Sequence, residues 1–201
     1  MYQKYFKRLI DIILSSIGLI VLSWLFLILI IAIKVTSPGP VLFKQKRIGK
    51  NRQLFDIYKF RSMRVDAPDV PTHLLSDPDQ WITIIGKILR KSSLDELPQM
   101  MNILKGNMSI IGPRPALWNQ NDLADERDKY NANAVLPGLT GLAQISGRDE
   151  LPISAKSQLD GKYVSHITLI GDIKIFFKTV SSVLVADGVS EGENENNSKN
   201  K

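Results

Sequence analysis

Residues 12–33 read IILSSIGLIVLSWLFLILIIAI, an unbroken run of 22 residues without a charged side chain. A helix of that length measures about 33 Å, which is comparable with the apolar thickness of a bilayer. A core helix of a soluble domain normally has a polar face, and this run has only scattered serines. A cleavable signal peptide is disfavoured because the run is too long and no small-residue cleavage site follows it. The sequence therefore predicts a segment that is inserted in a membrane.

Basic side chains flank this apolar run at both ends. Lys4, Lys7 and Arg8 precede it, and Lys34, Lys44, Lys46 and Arg47 follow it. Positively charged residues usually stay on the cytoplasmic side of a membrane. A segment that enters and leaves on the same face keeps both clusters inside, whereas a straight span places one of them outside. The charge pattern therefore favours a re-entrant helix.

One acid, Asp11, lies at the membrane edge of the apolar segment. It follows Lys7 by four residues and Arg8 by three, so the three side chains share one face of a helix. We expect a local charge pair among them. It would serve either as an interfacial anchor or in a role closer to a functional site.

The chain is basic and contains no cysteine. Its net charge is +6, and the last 15 residues carry four acids against two lysines, so the remainder stands at +8. A basic surface suits nucleic acid, an anionic lipid face or a phosphorylated substrate. The lack of cysteine excludes disulfides, thiol nucleophiles and cysteine-ligated zinc.

A β-hairpin is predicted directly after the apolar segment, which ends at Ser37-Pro38-Gly39-Pro40. Residues 41–46 and 53–60 have strand patterns on either side of Gly49-Lys50-Asn51. The hairpin is rich in Lys and Arg and carries Tyr58 and Phe60, a combination that also forms nucleic-acid stacking surfaces. Because the membrane segment is adjacent, we favour lipid and phosphate groups as its partners.

Helical periodicity returns in three later stretches. The first begins at residue 81, and its predicted apolar face consists of Ile84, Ile85, Ile88 and Leu89. The second runs from residue 93 to residue 104 and ends at Gly106-Asn107. The third suits either the membrane interface or the domain core. Its apolar stripe, opposite two lysines, consists of Ile173, Phe176, Phe177, Val180 and Leu184.

Residues 91–99 read KSSLDELPQ and place two acids, Asp95 and Glu96, side by side at a predicted helix start. One interpretation is structural, because Ser93 followed by Glu96 matches a capping box. The other is chemical, because adjacent carboxylates can divide nucleophilic or metal-binding work from proton transfer. Arginines match phosphate oxygens and occur nearby or in Gly/Pro-rich runs; they are Arg90, Arg114 and Arg148. Such a set suits a magnesium-bound pyrophosphate.

Taken together, these stretches resemble the monotopic bacterial phosphoglycosyltransferases, the sugar transferases that start capsule, exopolysaccharide and glycoprotein glycan assembly. The matches run in order along nearly the whole chain. They are Lys7-Arg8 with Asp11, Ser37-Pro38-Gly39-Pro40-Val41, Tyr58-Lys59-Phe60-Arg61-Ser62-Met63, residues 90–99, residues 106–115 (GNMSIIGPRP), Pro137-Gly138-Leu139-Thr140-Gly141, Gln144 and Gly147-Arg148.

The resemblance implies a covalent two-step reaction. Asp95 would be the nucleophile that takes a phosphosugar from a UDP-sugar and releases UMP, and it would also bind Mg²⁺. Glu96 would be its catalytic partner, and polyprenyl (undecaprenyl) phosphate would be the acceptor. The phosphate contacts would come from Lys59, Arg90, Arg114 and Arg148.

The expected fold is α+β and mainly helical, with an N-terminal re-entrant membrane helix, a small β-hairpin and amphipathic interfacial helices. Residues 1–36 would be the membrane helix with its basic flank, residues 37–186 a cytoplasmic catalytic domain, and residues 187–201 a disordered tail. One departure from the family concerns the helix kink. Where the family usually has a Ser-Pro pair, this chain has Ser23-Trp24, so no proline ring opens the helical hydrogen bonds there.

The expected location is the cytoplasmic face of the inner (plasma) membrane. The expected partners are a UDP-sugar, polyprenyl phosphate, membrane lipids and other glycan-assembly enzymes, and not nucleic acid. Two other functions stay open: a membrane-tethered basic module that binds nucleic acid or acidic lipid, and a catalytically idle scaffold. The sequence does not identify the sugar, and residues 118–135 are the candidate for sugar specificity.

Overall fold

The computed structural model describes residues 1–68, 77–147 and 151–185. Over these residues the chain is mainly helical with two small sheets, which confirms the predicted α+β class. The elements are α1 (Lys7–Val21), α2 (Ser23–Thr36), β1 (Leu42–Ile48), β2 (Leu54–Phe60), α3 (Ile84–Lys91), α4 (Gln99–Lys105), β3 (Ser109–Ile111), α5 (Asn121–Asp128), β4 (Gly138–Thr140), α6 (Ile153–Ser165) and α7 (Leu169–Val185). The predicted tail, residues 187–201, lies outside the described residues.

The apolar N-terminal segment is divided into two helices at Leu22. A π-helical turn (Tyr2–Phe6) leads into α1, and the axes of Tyr2–Val21 and Ser23–Thr36 differ by 61°. The break forms without a proline, at a residue with φ −91° and ψ 5°. Within the described residues, neither helix is long and apolar enough to cross a bilayer alone. The bent pair together meets that test of length and composition.

The start of α1 is tied to the far end of the chain through Asp172 on α7. Lys7 Nζ lies 2.6 Å from Asp172 Oδ2, and the Tyr2 hydroxyl donates to the same oxygen at 2.7 Å. The Tyr163 hydroxyl donates to Asp172 Oδ1 at 2.9 Å. Each oxygen of this buried carboxylate is therefore satisfied, as a buried charge requires.

The local charge pair predicted at this end of α1 is wrong. Arg8 donates instead to the carbonyl oxygens of Ile103 and Leu104, at 2.6 Å and 3.0 Å. Asp11 accepts from the backbone N–H of Ile110 at 3.0 Å. The physical reason is that the last carbonyls of a helix, here α4, carry partial negative charge and attract a cationic donor.

The predicted hairpin is confirmed, with slightly shifted ends. Strands β1 and β2 are antiparallel, and their register runs from Leu42 opposite Phe60 to Ile48 opposite Leu54. The turn contains Asn51 in the left-handed region, at φ 52°, which Asn tolerates better than most residues.

A second, parallel sheet was not predicted from the sequence. It pairs β3 with β4, with Ser109 opposite Gly138 and Ile111 opposite Thr140. A Cβ at Gly138 would overlap the backbone of Gly112, so only glycine allows this close approach. Three-residue strands carry too short a pattern for periodicity to reveal them.

Arg61, which directly follows β2, holds the C-terminal end of α2 in place. This buried guanidinium donates to the carbonyl oxygens of Ser37, at 2.7 Å, and Pro38, at 2.6 Å. Beside it, side chains from α2, β2 and α3 form one apolar cluster. Its buried members are Leu29, Ile33, Phe60 and Leu89.

The structure shows how far two predicted apolar faces are buried. Of the apolar face predicted on α3, Leu89 is fully buried whereas Ile84 is 83% exposed. On α7, Asp172 and Ile175 face the domain. The outward residues of the predicted stripe are Ile173, Phe176, Phe177 and Val180, so this stripe is not packed on the core.

We predict that Arg61→Met lowers the free energy of unfolding by about 2–4 kcal/mol, since it leaves two carbonyl groups without their donors. The measurement is denaturant unfolding of the detergent-solubilised protein. Arg64→Met is the matched control, because Arg64 pairs with Asp66 at the exposed surface, where an ion pair contributes about 1 kcal/mol or less. Equal losses in both variants would contradict the role assigned to Arg61.

Candidate active site

The two acids lie on an irregular connection between α3 and α4. Ser93 has a left-handed conformation with φ 55°, and a 3₁₀ turn (Leu94–Glu96) follows it. Pro98 is the N-cap of α4. The capping-box interpretation is therefore wrong, since the Ser93 side chain makes no capping hydrogen bond and the Glu96 side chain contacts cations instead. Proline restricts the residue before it, and here the long helix predicted from residue 93 begins only at Gln99.

Lys59 brings the hairpin and this connection together. Its ammonium nitrogen lies 2.7 Å from Glu96 Oε1 and 3.5 Å from Asp95 Oδ2. Arg114 Nη2 contacts the same Glu96 oxygen at 3.0 Å. The Asp95 residue is only 7% exposed. The structure therefore brings Asp95, Glu96, Lys59 and Arg114 together in one place.

The pKa values of the two carboxyl groups are shifted in opposite directions. Burial raises the pKa of Asp95 above its ordinary value, because Lys59 compensates only part of the lost solvation and Glu96 adds like charge. Burial also acts to raise the pKa of Glu96, but Arg114 and Lys59 outweigh it and hold that pKa well below its ordinary value. Environments that separate two neighbouring carboxyl groups in this way are typical of catalytic pairs.

Strand β2 is held in position beside the site by Asn102 on α4. Asn102 Nδ2 donates to the Asp56 carbonyl at 2.7 Å, and the Tyr58 N–H donates to Asn102 Oδ1 at 2.9 Å. Both bonds hold the stretch of β2 that comes directly before Lys59. The buried amide therefore fixes the strand from which the site's central cation projects.

The backbone of Arg114 is held by a buried ion pair between α5 and α6. Arg127 Nη1 donates to the Arg114 carbonyl at 2.9 Å. The same guanidinium contacts Asp160 Oδ2 through Nε at 2.8 Å and through Nη2 at 2.6 Å. Sequence reasoning missed both residues, because they are 33 positions apart and neither stands in a motif.

Two further residues were predicted to bind phosphate, Arg90 and Arg148. Arg90 lies in the last turn of α3, and its charge lowers the pKa of Asp95, so it acts on the site electrostatically. Arg148 lies outside the described residues. The prediction that Arg148 binds phosphate is therefore still a prediction.

The carboxylates of this site could bind Mg²⁺ together with other ligands, but the described residues do not supply a complete set of metal ligands. Among the residues that the structure describes, no group of three or more His, Cys, Asp or Glu side chains is placed to hold a metal ion. Mg²⁺ commonly binds through one or two carboxylates together with substrate phosphates and water. Asp95 and Glu96 fit that pattern.

The site combines a buried acid, Asp95, with the positive charges of Lys59 and Arg114. Carboxylates surrounded by Lys and Arg side chains in a partly dry setting suit an anionic substrate, because each charge acts more strongly there than in water. Phosphate is the group whose oxygens Arg and Lys match best. The geometry therefore supports chemistry at a phosphorus atom.

Comparison with known proteins agrees with this geometry. The sequence model of a family described as "Bacterial sugar transferase" matches residues 2–186. The chain is 36% identical over 197 residues to the exopolysaccharide production protein ExoY of Sinorhizobium fredii, covering 90% of this chain and 87% of that protein. It is 41% identical over 191 residues to the exopolysaccharide production protein PSS of Rhizobium leguminosarum, covering 89% and 94%. An undecaprenyl-phosphate galactose phosphotransferase of Salmonella typhimurium is 40% identical over 203 residues, covering 92% of this chain and 42% of that protein.

We predict that Asp160→Asn destabilises the protein by about 3–5 kcal/mol, because it leaves the Arg127 charge buried without its partner. Asp125→Asn is the control, since Asp125 pairs with Arg52 at the surface and its loss costs about 1 kcal/mol or less. Unfolding in detergent measures both. If Asp160→Asn is as stable as the control, the buried pair does not support the site.

Proposed function

Since this chain belongs to the bacterial sugar transferase family, we propose that it transfers a phosphosugar from a UDP-sugar to polyprenyl (undecaprenyl) phosphate and releases UMP. The names of the relatives from Salmonella typhimurium and the two rhizobia support this proposal, since they refer to undecaprenyl phosphate and to exopolysaccharide production. The reaction would initiate capsule, exopolysaccharide or glycoprotein glycan synthesis.

The observation that carries the proposal is the pair of carboxylates beside Lys59 and Arg114. In the first step an Asp95 oxygen attacks the β-phosphorus of the UDP-sugar. The bond from that phosphorus to the bridging oxygen breaks, and UMP leaves with the electron pair. In the second step a phosphate oxygen of the polyprenyl phosphate attacks the same phosphorus. The bond to Asp95 breaks, which restores the carboxylate and yields a polyprenyl diphosphosugar.

Asp95 suits the nucleophile's role better than Glu96 does. Glu96 Oε1 accepts hydrogen bonds from both Lys59 and Arg114, and these bonds make that oxygen a weaker nucleophile. Within the described residues, the Asp95 side chain makes one hydrogen bond, the long one of 3.5 Å to Lys59. Its raised pKa also makes the Asp95 carboxylate the more basic of the two, and basicity favours attack.

Glu96 then acts as the residue that holds the cations in place. Its two contacts keep Lys59 and Arg114 directed at the space beside Asp95, where the substrate phosphates would bind. Asp95 would hold Mg²⁺, with Glu96 adjacent. When bound, the ion would neutralise charge on the phosphate oxygens as UMP departs.

We place the bent pair α1 and α2 in the cytoplasmic leaflet as a re-entrant segment. Both ends contact the same domain: Lys7 pairs with Asp172, and Arg61 holds Ser37. A straight span would separate those ends by the thickness of the bilayer. The surface offered to lipid is strongly apolar. It includes Leu9, Ile13, Ile17, Ile20, Trp24, Leu27, Ile31 and Val35, all exposed.

Two further faces would lie at the membrane interface. The exposed apolar stripe of α7, from Ile173 to Val180, adjoins Lys174 and Lys178, and α3 exposes Ile84 and Ile88. Apolar side chains next to lysines suit the boundary between headgroups and acyl chains. The acceptor's phosphate would thus meet the site at the lipid surface.

We predict that Asp95→Asn lowers UMP release by about 10³-fold or more, because the amide cannot act as the nucleophile. UMP release by the detergent-solubilised protein is measured with a panel of UDP-sugars, Mg²⁺ and polyprenyl phosphate. Intact-mass analysis during turnover should show a phosphosugar adduct on the wild-type protein. Asp66→Asn, a surface change, is the control.

Two outcomes would overturn the proposal. Retained activity in Asp95→Asn removes that residue from the nucleophile's role. Salt-sensitive polynucleotide binding that does not depend on Asp95, with no transfer from any UDP-sugar, supports the membrane-tethered binding module instead.

The natural absence of cysteine allows a direct test of topology. We expect Gln3→Cys in intact cells to react with an impermeant thiol reagent only after the membrane is permeabilised. Asn51→Cys, on the hairpin turn of the domain, is the control for the cytoplasmic side. Labelling of Gln3→Cys from outside, with Asn51→Cys protected, would mean that the segment spans the membrane.

A further inference from the structure

Helix α4 carries two buried amide side chains, Gln99 and Asn102, that differ in how they are satisfied. Gln99 is 2% exposed and Asn102 is fully buried. The Asn102 amide uses both its oxygen and its nitrogen, with the backbone of Tyr58 and Asp56. The Gln99 Nε2 group is buried and has no hydrogen-bond partner among the residues that the structure describes.

An unpaired buried amide is unusual, because it has lost its water and gained nothing in exchange. A residue kept only for packing would be replaced without loss by an apolar side chain of the same shape. Gln99 sits instead on the wall of the pocket that Lys59, Glu96 and Arg114 also line. A donor placed there gains a partner when an acceptor enters the pocket.

The neighbours of Gln99 determine what kind of acceptor fits. The Glu96 carboxylate is already bound by Lys59 and Arg114. These two cations create a positive potential in the pocket, which favours an anionic oxygen over a neutral hydroxyl. An amide N–H adds an uncharged hydrogen-bond donor to this pocket. It therefore leaves the ion pairs of Lys59 and Arg114 with Glu96 undisturbed.

We infer that the Gln99 amide donates a hydrogen bond to a phosphate oxygen of the nucleotide-sugar, and that Gln99 is a substrate-binding residue of this site. The inference rests on the proposed function for the identity of the substrate. It assigns Gln99 to the phosphates, which every UDP-sugar shares, and not to the sugar.

The test compares two substitutions on the same helix. Gln99→Met keeps the length of the side chain and removes the unpaired donor. We expect its melting temperature in detergent to equal or exceed that of the wild type, while kcat/KM for UMP release falls roughly 10- to 100-fold. Asn102→Leu removes an amide that is fully paired, so its melting temperature should fall. Gln99→Glu, which puts a carboxylate next to the phosphate, should be less active than Gln99→Met.

The outcomes separate this inference from the proposed function. If the wild type transfers phosphosugar and Gln99→Met matches it in kcat/KM, the inference is wrong. A loss confined to one UDP-sugar would assign Gln99 to the sugar and also overturn it. If the wild type transfers nothing, the proposed function fails. Calorimetric titration with UDP then still tests Gln99, because Gln99→Met must bind UDP about 10-fold more weakly than the wild type.

Discussion

The ammonium group of Lys59 lies between two adjacent carboxylates, and Asn102 on α4 holds the strand that carries it. It is 2.7 Å from Glu96 and 3.5 Å from Asp95. One cation between two buried acids reduces their repulsion. Burial raises the pKa of Asp95, whereas Arg114 and Lys59 hold the pKa of Glu96 low, so Asp95 is the more basic acid. The contact also joins the hairpin to the connection before α4. The same ion pairs therefore hold two parts of the fold together and set the charge of the site.

Each component around Lys59 is fixed by a buried polar contact from elsewhere in the chain. Asn102 fixes the strand, and Arg127 fixes the backbone of Arg114 through its pair with Asp160. Breaking such a pair leaves an uncompensated charge, so the contacts restrict the site to one arrangement. This rigidity matters for a reaction at phosphorus, because catalysis there depends mainly on the positioning of charges.

The apolar N-terminal segment is attached to the domain by the same kind of contact. Asp172 binds the start of α1 through Lys7, and Arg61 binds the end of α2 through two carbonyl groups. Since both ends are held, the chain bends at Leu22 although no proline is present. The bend lies where the packing partner changes, since α1 packs against α4 and α2 against α3.

Much of this protein was predictable from local pattern. The apolar segment, the hairpin and α7 follow from periodicity and composition, because neighbours in sequence decide them. Four residues that the motif resemblance singled out lie together in the structure: Asp95, Glu96, Lys59 and Arg114. Local rules failed at Ser93, where a good capping pattern does not form a cap, because Lys59 and Arg114 attract the Glu96 side chain away from the helix start.

The sequence by itself determined which segments are apolar, which residues are charged, and which family the motifs belong to. Only the tertiary structure decided that Arg127 and Asp160 support Arg114, that Asp172 secures α1, and that the Gln99 amide lines the site. The physical reason is distance along the chain. A contact between residues 33 or 165 positions apart leaves no periodic signal, because it exists only after the helices and strands that carry the two residues have packed.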